Sequence, residues 1–188
     1  MLRCKLRIIS GKARGTKLFT LDGEKTRPTL DRVKEPLFSI ITNEIQDAKV
    51  LDLFAGSGAL GIEALSRGAE HAVLCDNSRE AVEIINNNLA KTKLNTYAEI
   101  INEDFKKCLK KLQGRKFNLI FLDPPYESSN IETSIKQILE LDLLAEEGLI
   151  IAETDREEII ERIRNIDISI KDIRHYGRVI LIFLKRKG

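Results

Sequence analysis

Strand and helix patterns alternate from residue 49 to residue 163 of this 188-residue chain, and the alternation predicts a doubly wound α/β fold with a mostly parallel sheet. Two further apolar runs at the end, joined by a short turn, predict an antiparallel hairpin on the sheet's edge and bring the strand count to seven. Ahead of the first helix, two short strand patterns flank a basic loop and predict an N-terminal β-hairpin extension. The expected organisation is a basic hairpin over residues 1–28 and one α/β domain over residues 29–188.

Taken in order, Lys5–Ser10 and Lys17–Leu21 read as the strands of the first hairpin. Gly11-Lys12-Ala13-Arg14-Gly15 is then a tip able to approach phosphates. Thr29 is a candidate N-cap, and Leu30, Val33, Leu37, Ile40, Ile41 and Ile45 recur at helical spacing. Pro36 removes a backbone donor inside that pattern, so a kink or split near Lys34 is expected. Lys49–Phe54 is a strand, Ala55-Gly56-Ser57-Gly58 a glycine turn, and Ala59–Arg67 a helix stopped by Gly68. His71–Cys75 is a strand closed by Asp76, and Ser78 caps a helix to about Lys91. Tyr97–Ile101 is the next strand, followed by Asp104 and a basic helix over Phe105–Leu112. Phe117–Leu122 is a short run rich in apolar residues, as expected of a strand covered on both faces. A helix over Ile131–Leu141, a strand over Gly148–Glu153 and a helix over Arg156–Ile163 complete the alternation. Ile166–Arg174 and Val179–Leu184 form the closing hairpin around His175-Tyr176-Gly177-Arg178.

Composition narrows the function classes. Hydrophobic residues at 43% and charged ones at 32% describe a soluble globular chain, and no apolar run nears the ~20 residues a membrane helix needs. The first residues lack a signal peptide's apolar segment, so a cytoplasmic protein, expected as a monomer, is the reading. Cys4, Cys75 and Cys108 are widely spaced without a Cys-x-x-Cys pair, which suggests free thiols and argues against a zinc site. The net charge of +2 conceals an asymmetry: residues 1–34 hold ten Lys/Arg and three Asp/Glu, leaving 21 and 26 for the remainder. A polyanion contacting the basic end is therefore expected, with Lys12, Arg14 and Lys17 as candidate contacts.

Two stretches carry chemistry. Gly56-Ser57-Gly58-Ala59-Leu60-Gly61 matches G-x-G-x-x-G between a strand and a helix, and Asp76 lies twenty residues after the first glycine. That context serves any nucleotide-like cofactor, a nicotinamide dinucleotide included. Asp52, just before the glycines, suits an ammonium better than a pyrophosphate, and Asp104 is placed to accept from an adenine amino group. These acids favour S-adenosylmethionine. The second stretch, Asp123-Pro124-Pro125-Tyr126, follows a buried strand at the carboxyl end, where such sheets hold ligands. An acceptor carboxylate, rigid proline carbonyls and a stacking ring suit a planar heterocycle bearing an amino group. Taken alone, Asp-Pro-Pro-Tyr is also compatible with an ordinary strand-to-loop turn.

The chain resembles the RsmD family of S-adenosylmethionine-dependent 16S rRNA guanine-N2 methyltransferases, of class I, Rossmann-like fold. The resemblance is carried by Arg27-Pro28-Thr29 with Arg32, Glu35-Pro36-Leu37-Phe38, Leu51–Gly61, Glu63–Ala69 and Asp123–Tyr126. It implies that Asp52 and the backbone of Phe54, Ala55, Gly56, Ser57 and Gly58 hold the methionine end. It further implies Asp76 with Asn77 at the ribose, and Asp104 with Phe105 at the adenine. Asp123 and the Pro124 carbonyl would accept from the target amine, with Pro125 stiffening the turn and Tyr126 stacking on the base. Arg27, Thr29 and Arg32 would lie over cofactor and RNA, and the substrate would be 16S rRNA within the small ribosomal subunit or an assembly intermediate. The rival readings are a DNA adenine-N6 methyltransferase, a non-catalytic RNA-binding assembly factor and a nicotinamide oxidoreductase.

Overall fold

The structure, a computed structural model, describes residues 3–20, 28–125 and 129–188, with side chains for 6–20, 33–125 and 130–188. A two-stranded hairpin, β1 (Arg3–Arg7) and β2 (Lys17–Thr20), precedes helix α1 (Pro28–Ile40). Five parallel strands follow: β3 (Lys49–Asp52), β4 (His71–Asp76), β5 (Ala98–Asn102), β6 (Phe117–Leu122) and β7 (Leu144–Thr154). They are joined by α2 (Ala59–Ser66), α3 (Arg79–Thr92), α4 (Phe105–Lys111) and α5 (Ser129–Glu140), and α6 (Glu158–Arg164) leads to the last two strands, β8 (Ser169–Tyr176) and β9 (Val179–Lys185). The sheet order is β5-β4-β3-β6-β7-β9-β8, with β9 antiparallel to both neighbours. The chain leaves β3 in one direction and returns on its other side at β6, so strand order reverses between these two strands. That reversal opens a crevice at their carboxyl ends.

Side-chain alternation sets the two layers. Val50, Leu74, Leu119 and Phe121 point into a core shared with α1, α2 and α3, while Leu51, Val73, Ile120 and Ile150 point into one shared with α4, α5 and α6. Burial on both faces is why the parallel strands read as unbroken apolar runs. Strand β7 begins earlier than Gly148, the expected start, because its first residues pair with Phe117 before a register shift.

Helix α1 corrects two expectations. It runs unbroken through Pro36, and Thr29 lies inside its first turn with Pro28 at the first helical position, where a missing N–H costs nothing. The helix ends at Ile40, and a short 3₁₀ turn, Thr42–Glu44, completes the apolar pattern. Both halves are pinned independently of the lost hydrogen bond. Val33 and Lys34 before the proline, and Leu37 and Phe38 after it, are all buried against the body.

The buried Lys34 has its counterpart on α2. Its ammonium lies 3.3 Å from the Glu63 carboxylate and donates to the Arg7 carbonyl at 2.6 Å. Glu63 also accepts from the Ile9 and Ser10 N–H groups at 2.8 and 3.0 Å and from Arg67 Nε at 2.8 Å. One residue further along the hairpin, Gly11 passes so close that a Cβ there would sit 1.8 Å from the Ser66 carbonyl oxygen. The Ser66 hydroxyl donates to the Ser10 carbonyl at 2.6 Å and accepts from Ala13 N–H at 2.9 Å. On the other side, Asn88 of α3 receives the Phe19 N–H at 2.7 Å and donates to the Phe19 and Ser57 carbonyls. Leu6, Ile8, Ala13 and Leu18 therefore belong to the same core as α1–α3.

Removing one partner of a buried ion pair strands the other, so Glu63→Ala should lower the unfolding free energy by about 3–5 kcal/mol. Adding Lys34→Met should recover part of that loss, because the stranded ammonium goes with it. Urea titrations of the two variants check both statements.

Candidate active site

Strand β3 ends in Asp52, only 2% exposed, whose Oδ2 accepts from the Gly61 N–H at 3.0 Å. The other oxygen makes no hydrogen bond among the described residues. Burial pushes its pKa from 3.8 up to about 7, the Gly61 hydrogen bond opposing and the charge of Asp76 assisting. The turn after Asp52 is closed by Gly58 N–H to Ala55 carbonyl at 2.6 Å. Gly58 starts α2 with φ at 78°, and a Cβ there would meet Leu74 and Ile62 at 3.1 Å. Only glycine fits both the left-handed backbone and the tight approach to β4.

Asp76, ending β4, uses its carboxylate to hold this turn. Its Oδ2 accepts from Gly56 N–H at 2.8 Å and its Oδ1 from Ser78 N–H at 2.9 Å. The Asn102 amide at the tip of β5 donates to the Asp76 carbonyl at 2.9 Å. Asp104 is exposed and caps α4 through Lys106 N–H at 2.9 Å. Phe105 is buried and packs on Phe54 with ring centroids 5.3 Å apart, an apolar wall at the same end of the sheet. Asp52, the 54–58 turn, Asp76, Asn77, Asp104 and Phe105 are thus brought to the carboxyl ends of three neighbouring strands.

Strand β6 adds the fourth tip. Asp52 pairs with Phe121, which sets Asp123 two residues beyond the level of Asp52 on the adjacent strand. Asp123 and Pro124 are half-buried and Pro125 is exposed. Tyr126 and Arg27 lie outside the described residues; Thr29 and Arg32 fall in the first turns of α1, where only backbone is described.

Lys12 and Arg14 fall elsewhere, at the hairpin tip, with Lys17 just beyond it at the start of β2. The hairpin tip bonds to Ser66, the last residue of α2, and Lys12 lies over the ring of Tyr97, just before β5. Both landmarks mark the amino ends of the strands. A helix the length of α2 and a strand the length of β5 put roughly 12–17 Å between that end and the acids. The tip is held there because Gly11 and Ala13 dock on α2, an interaction invisible in the basic loop itself.

Four residues with structural jobs were not apparent from motif reading: Lys34, Glu63, Ser66 and Asn88. The one available signal was Glu63 four positions before Arg67 on an otherwise apolar helix. The two described thiols, Cys75 and Cys108, are buried. A hydrogen bond with Cys108, then burial, holds the Cys75 thiol far above its usual pKa, so it is protonated and inert as a nucleophile.

A seven-stranded sheet with this order, a glycine turn after β3 and acids on four strand tips define a class I, Rossmann-like methyltransferase fold. The chain belongs to the family described as Conserved hypothetical protein 95, whose pattern matches residues 6–185; this is the RsmD family. Ribosomal RNA small subunit methyltransferase D of Escherichia coli (strain K12) is 40% identical over 81% of this chain and 76% of its own. YlbH of Bacillus subtilis (strain 168), provisionally named an rRNA methyltransferase, is 38% identical over 97% of this chain and 100% of its own. Among solved structures, yhhF of Escherichia coli, provisionally described as a methyltransferase, superposes with a TM-score of 0.82 at 34% identity. The match covers 97% of this chain and 98% of that one.

A carboxyl group that binds its proton more tightly when folded stabilises the fold below its unfolded pKa and loses that contribution as pH rises toward its folded pKa. For Asp52 the window runs from about 4 to about 7. The ligand-free protein should melt at lower temperature as pH rises through that window, and Asp52→Asn should flatten this part of the profile. Thermal melts between pH 4 and pH 7 provide the readout.

Proposed function

We propose that this protein transfers a methyl group from S-adenosylmethionine to the exocyclic N2 amine of a guanine in 16S rRNA, presented in the small ribosomal subunit or an assembly intermediate. The observation that carries the reading is the adjacency of two strand tips, Asp52 on β3 and Asp123 on β6, across the crevice where strand order reverses. Family membership and the relatives named for small-subunit rRNA methylation support the substrate class. A structural neighbour, SMU.776, is a complex with SAH, although at 20% identity it speaks for the fold alone.

The cofactor fits the residues at the site. The uncommitted oxygen of buried Asp52 suits an ammonium, the Gly56–Gly58 backbone admits close approach, and the Phe54–Phe105 pair offers an apolar wall. Bound there, S-adenosylmethionine supplies a methyl already activated as a sulfonium. The obstacle is then the acceptor, because an exocyclic amine's lone pair is delocalised into its ring. Asp123 and the Pro124 carbonyl accept hydrogen bonds from the two N–H bonds of that amine and favour a pyramidal nitrogen with its lone pair directed at the methyl. Pro124 and Pro125 fix the turn so that these acceptors are preorganised. By fixing the amine's orientation, these acceptors would contribute much of the acceleration as positioning. Asp123 need not be a strong base, since the amine becomes acidic only as the new bond forms. The family resemblance implies a stacking role for Tyr126, and the base must leave its helix to reach the crevice.

Small ribosomal subunits from a strain lacking the protein should accept labelled methyl, and mass spectrometry should find it in N2-methylguanosine. Label in N6-methyladenosine, or none, would refute the assignment. Asp123→Asn should reduce turnover by on the order of 10²–10³ while leaving cofactor affinity close to wild type. Cofactor affinity should itself fall as pH drops below about 7, because Asp52 must be ionised to receive the ammonium. Calorimetric titrations at pH 6 and pH 8 would then differ for the wild type and agree for Asp52→Asn.

A further inference from the structure

The N-terminal hairpin gathers exposed cations within a few residues of one another. Arg7 and Lys17 stand directly opposite one another in the β1–β2 ladder, both exposed, an arrangement of like charges that costs stability when nothing neutralises it. Among the described residues Arg7, Lys12, Arg14, Lys17 and Lys93 form no ion pair with a carboxylate. In the body the pattern is mixed: Arg115, Lys116, Lys136, Arg174 and Arg186 each sit on a carboxylate, whereas Lys49, Arg79, Lys106 and Lys171 among others do not.

These cations share a surface with two aromatic rings. Lys12 Nζ lies 5.8 Å from the centre of the Tyr97 ring, which is 45% exposed, one of two large hydrophobic side chains on the described surface. Lys93 caps the C-terminus of α3, and the turn that follows it carries Tyr97. Lys91, on the same last turn, lies 4.3 Å from the centre of the Phe19 ring on the outward face of β2. The patch is rigid, because the Glu63, Ser66 and Asn88 contacts hold the hairpin to α2 and α3.

We propose that this surface, at the amino ends of the strands, is a second RNA-docking site that grips the phosphate backbone away from the methylated base. Arg7, Lys12, Arg14, Lys17 and Lys93 contact phosphates, and Tyr97 offers a ring face for an unpaired base or a ribose. The inference rests on the rRNA reading above and adds to it a bipartite footprint. One end of the sheet holds the flipped base, and the other fixes the surrounding RNA in register. Phosphate contacts position without reading sequence, so this end would select the shape of the substrate and leave the choice of base to the crevice.

The test uses the triple variant Lys12→Gln, Lys17→Gln, Lys93→Gln in the full chain, with Lys136→Gln on α5 as the control. Binding of small subunits is followed by filter retention from low to moderate salt, and methyl transfer is followed on the same subunits. The triple variant should bind at least tenfold more weakly at moderate salt and lose about 2–3 from the slope of log affinity against log salt. Its KM for subunits should rise in step, while its melting temperature does not fall below the wild type's and its S-adenosylmethionine affinity is unchanged. Tyr97→Ala should weaken binding without changing the salt slope. A triple variant with wild-type affinity and slope overturns the second docking site. A wild type that binds subunits with the expected salt dependence yet transfers no methyl to them sinks the substrate reading and leaves the patch standing as an RNA contact.

Discussion

A carboxylate sealed from water must find every donor within the protein, and Glu63 does so by drawing two separate segments onto its own helix. Lys34 comes from α1, the Ile9 and Ser10 amides from the hairpin, and Arg67 from the same helix one turn on. Because the pair is buried on both sides, neither partner can leave without stranding the other. The cost of desolvating the charges makes the interaction a weak source of net stability. Its effect is geometric: it fixes where the N-terminal segments lie relative to the glycine turn that begins the same helix.

That helix links the two ends of the molecule. At its start, Gly58 and Gly61 press against Leu74 and leave the Gly61 amide for Asp52, whose burial raises its pKa to about 7. At its end, Ser66 receives the hairpin tip. The strand-end acids follow a consistent logic. Asp76 commits both oxygens to the turn and to the start of α3, and Asp104 caps α4, so each shapes the strand tip it follows. Asp52 differs in committing only one oxygen to a hydrogen bond among the described residues.

The Pro36 helix shows how tertiary packing overrides a local rule. A proline inside a helix removes one hydrogen bond and crowds the preceding turn, and in an isolated helix that favours a break. Here the residues on both sides are clamped into the core, so the helical path is dictated from outside. The hairpin teaches a related lesson. A glycine-flanked basic loop reads as a free tip, yet Gly11 is there because only a residue without a side chain can pass the Ser66 carbonyl.

The alternation of apolar runs, the glycine turn at residues 55–58 and the acids at 52, 76 and 123 were all legible in the sequence. Each depends on local periodicity or on short-range backbone conformation, which neighbouring residues largely determine. The seven-stranded sheet and its closing hairpin followed, as did the grouping of those acids at one end, since parallel strands joined by helices must all finish on the same side. The pairing of Lys34 with Glu63, the docking of Asn88 on Phe19, and the placing of the hairpin tip with Lys12 and Arg14 at the far end of the sheet were decided by the tertiary structure alone. These contacts join residues 29 to 69 positions apart, and no local pattern encodes which of many polar side chains will meet once the layers close.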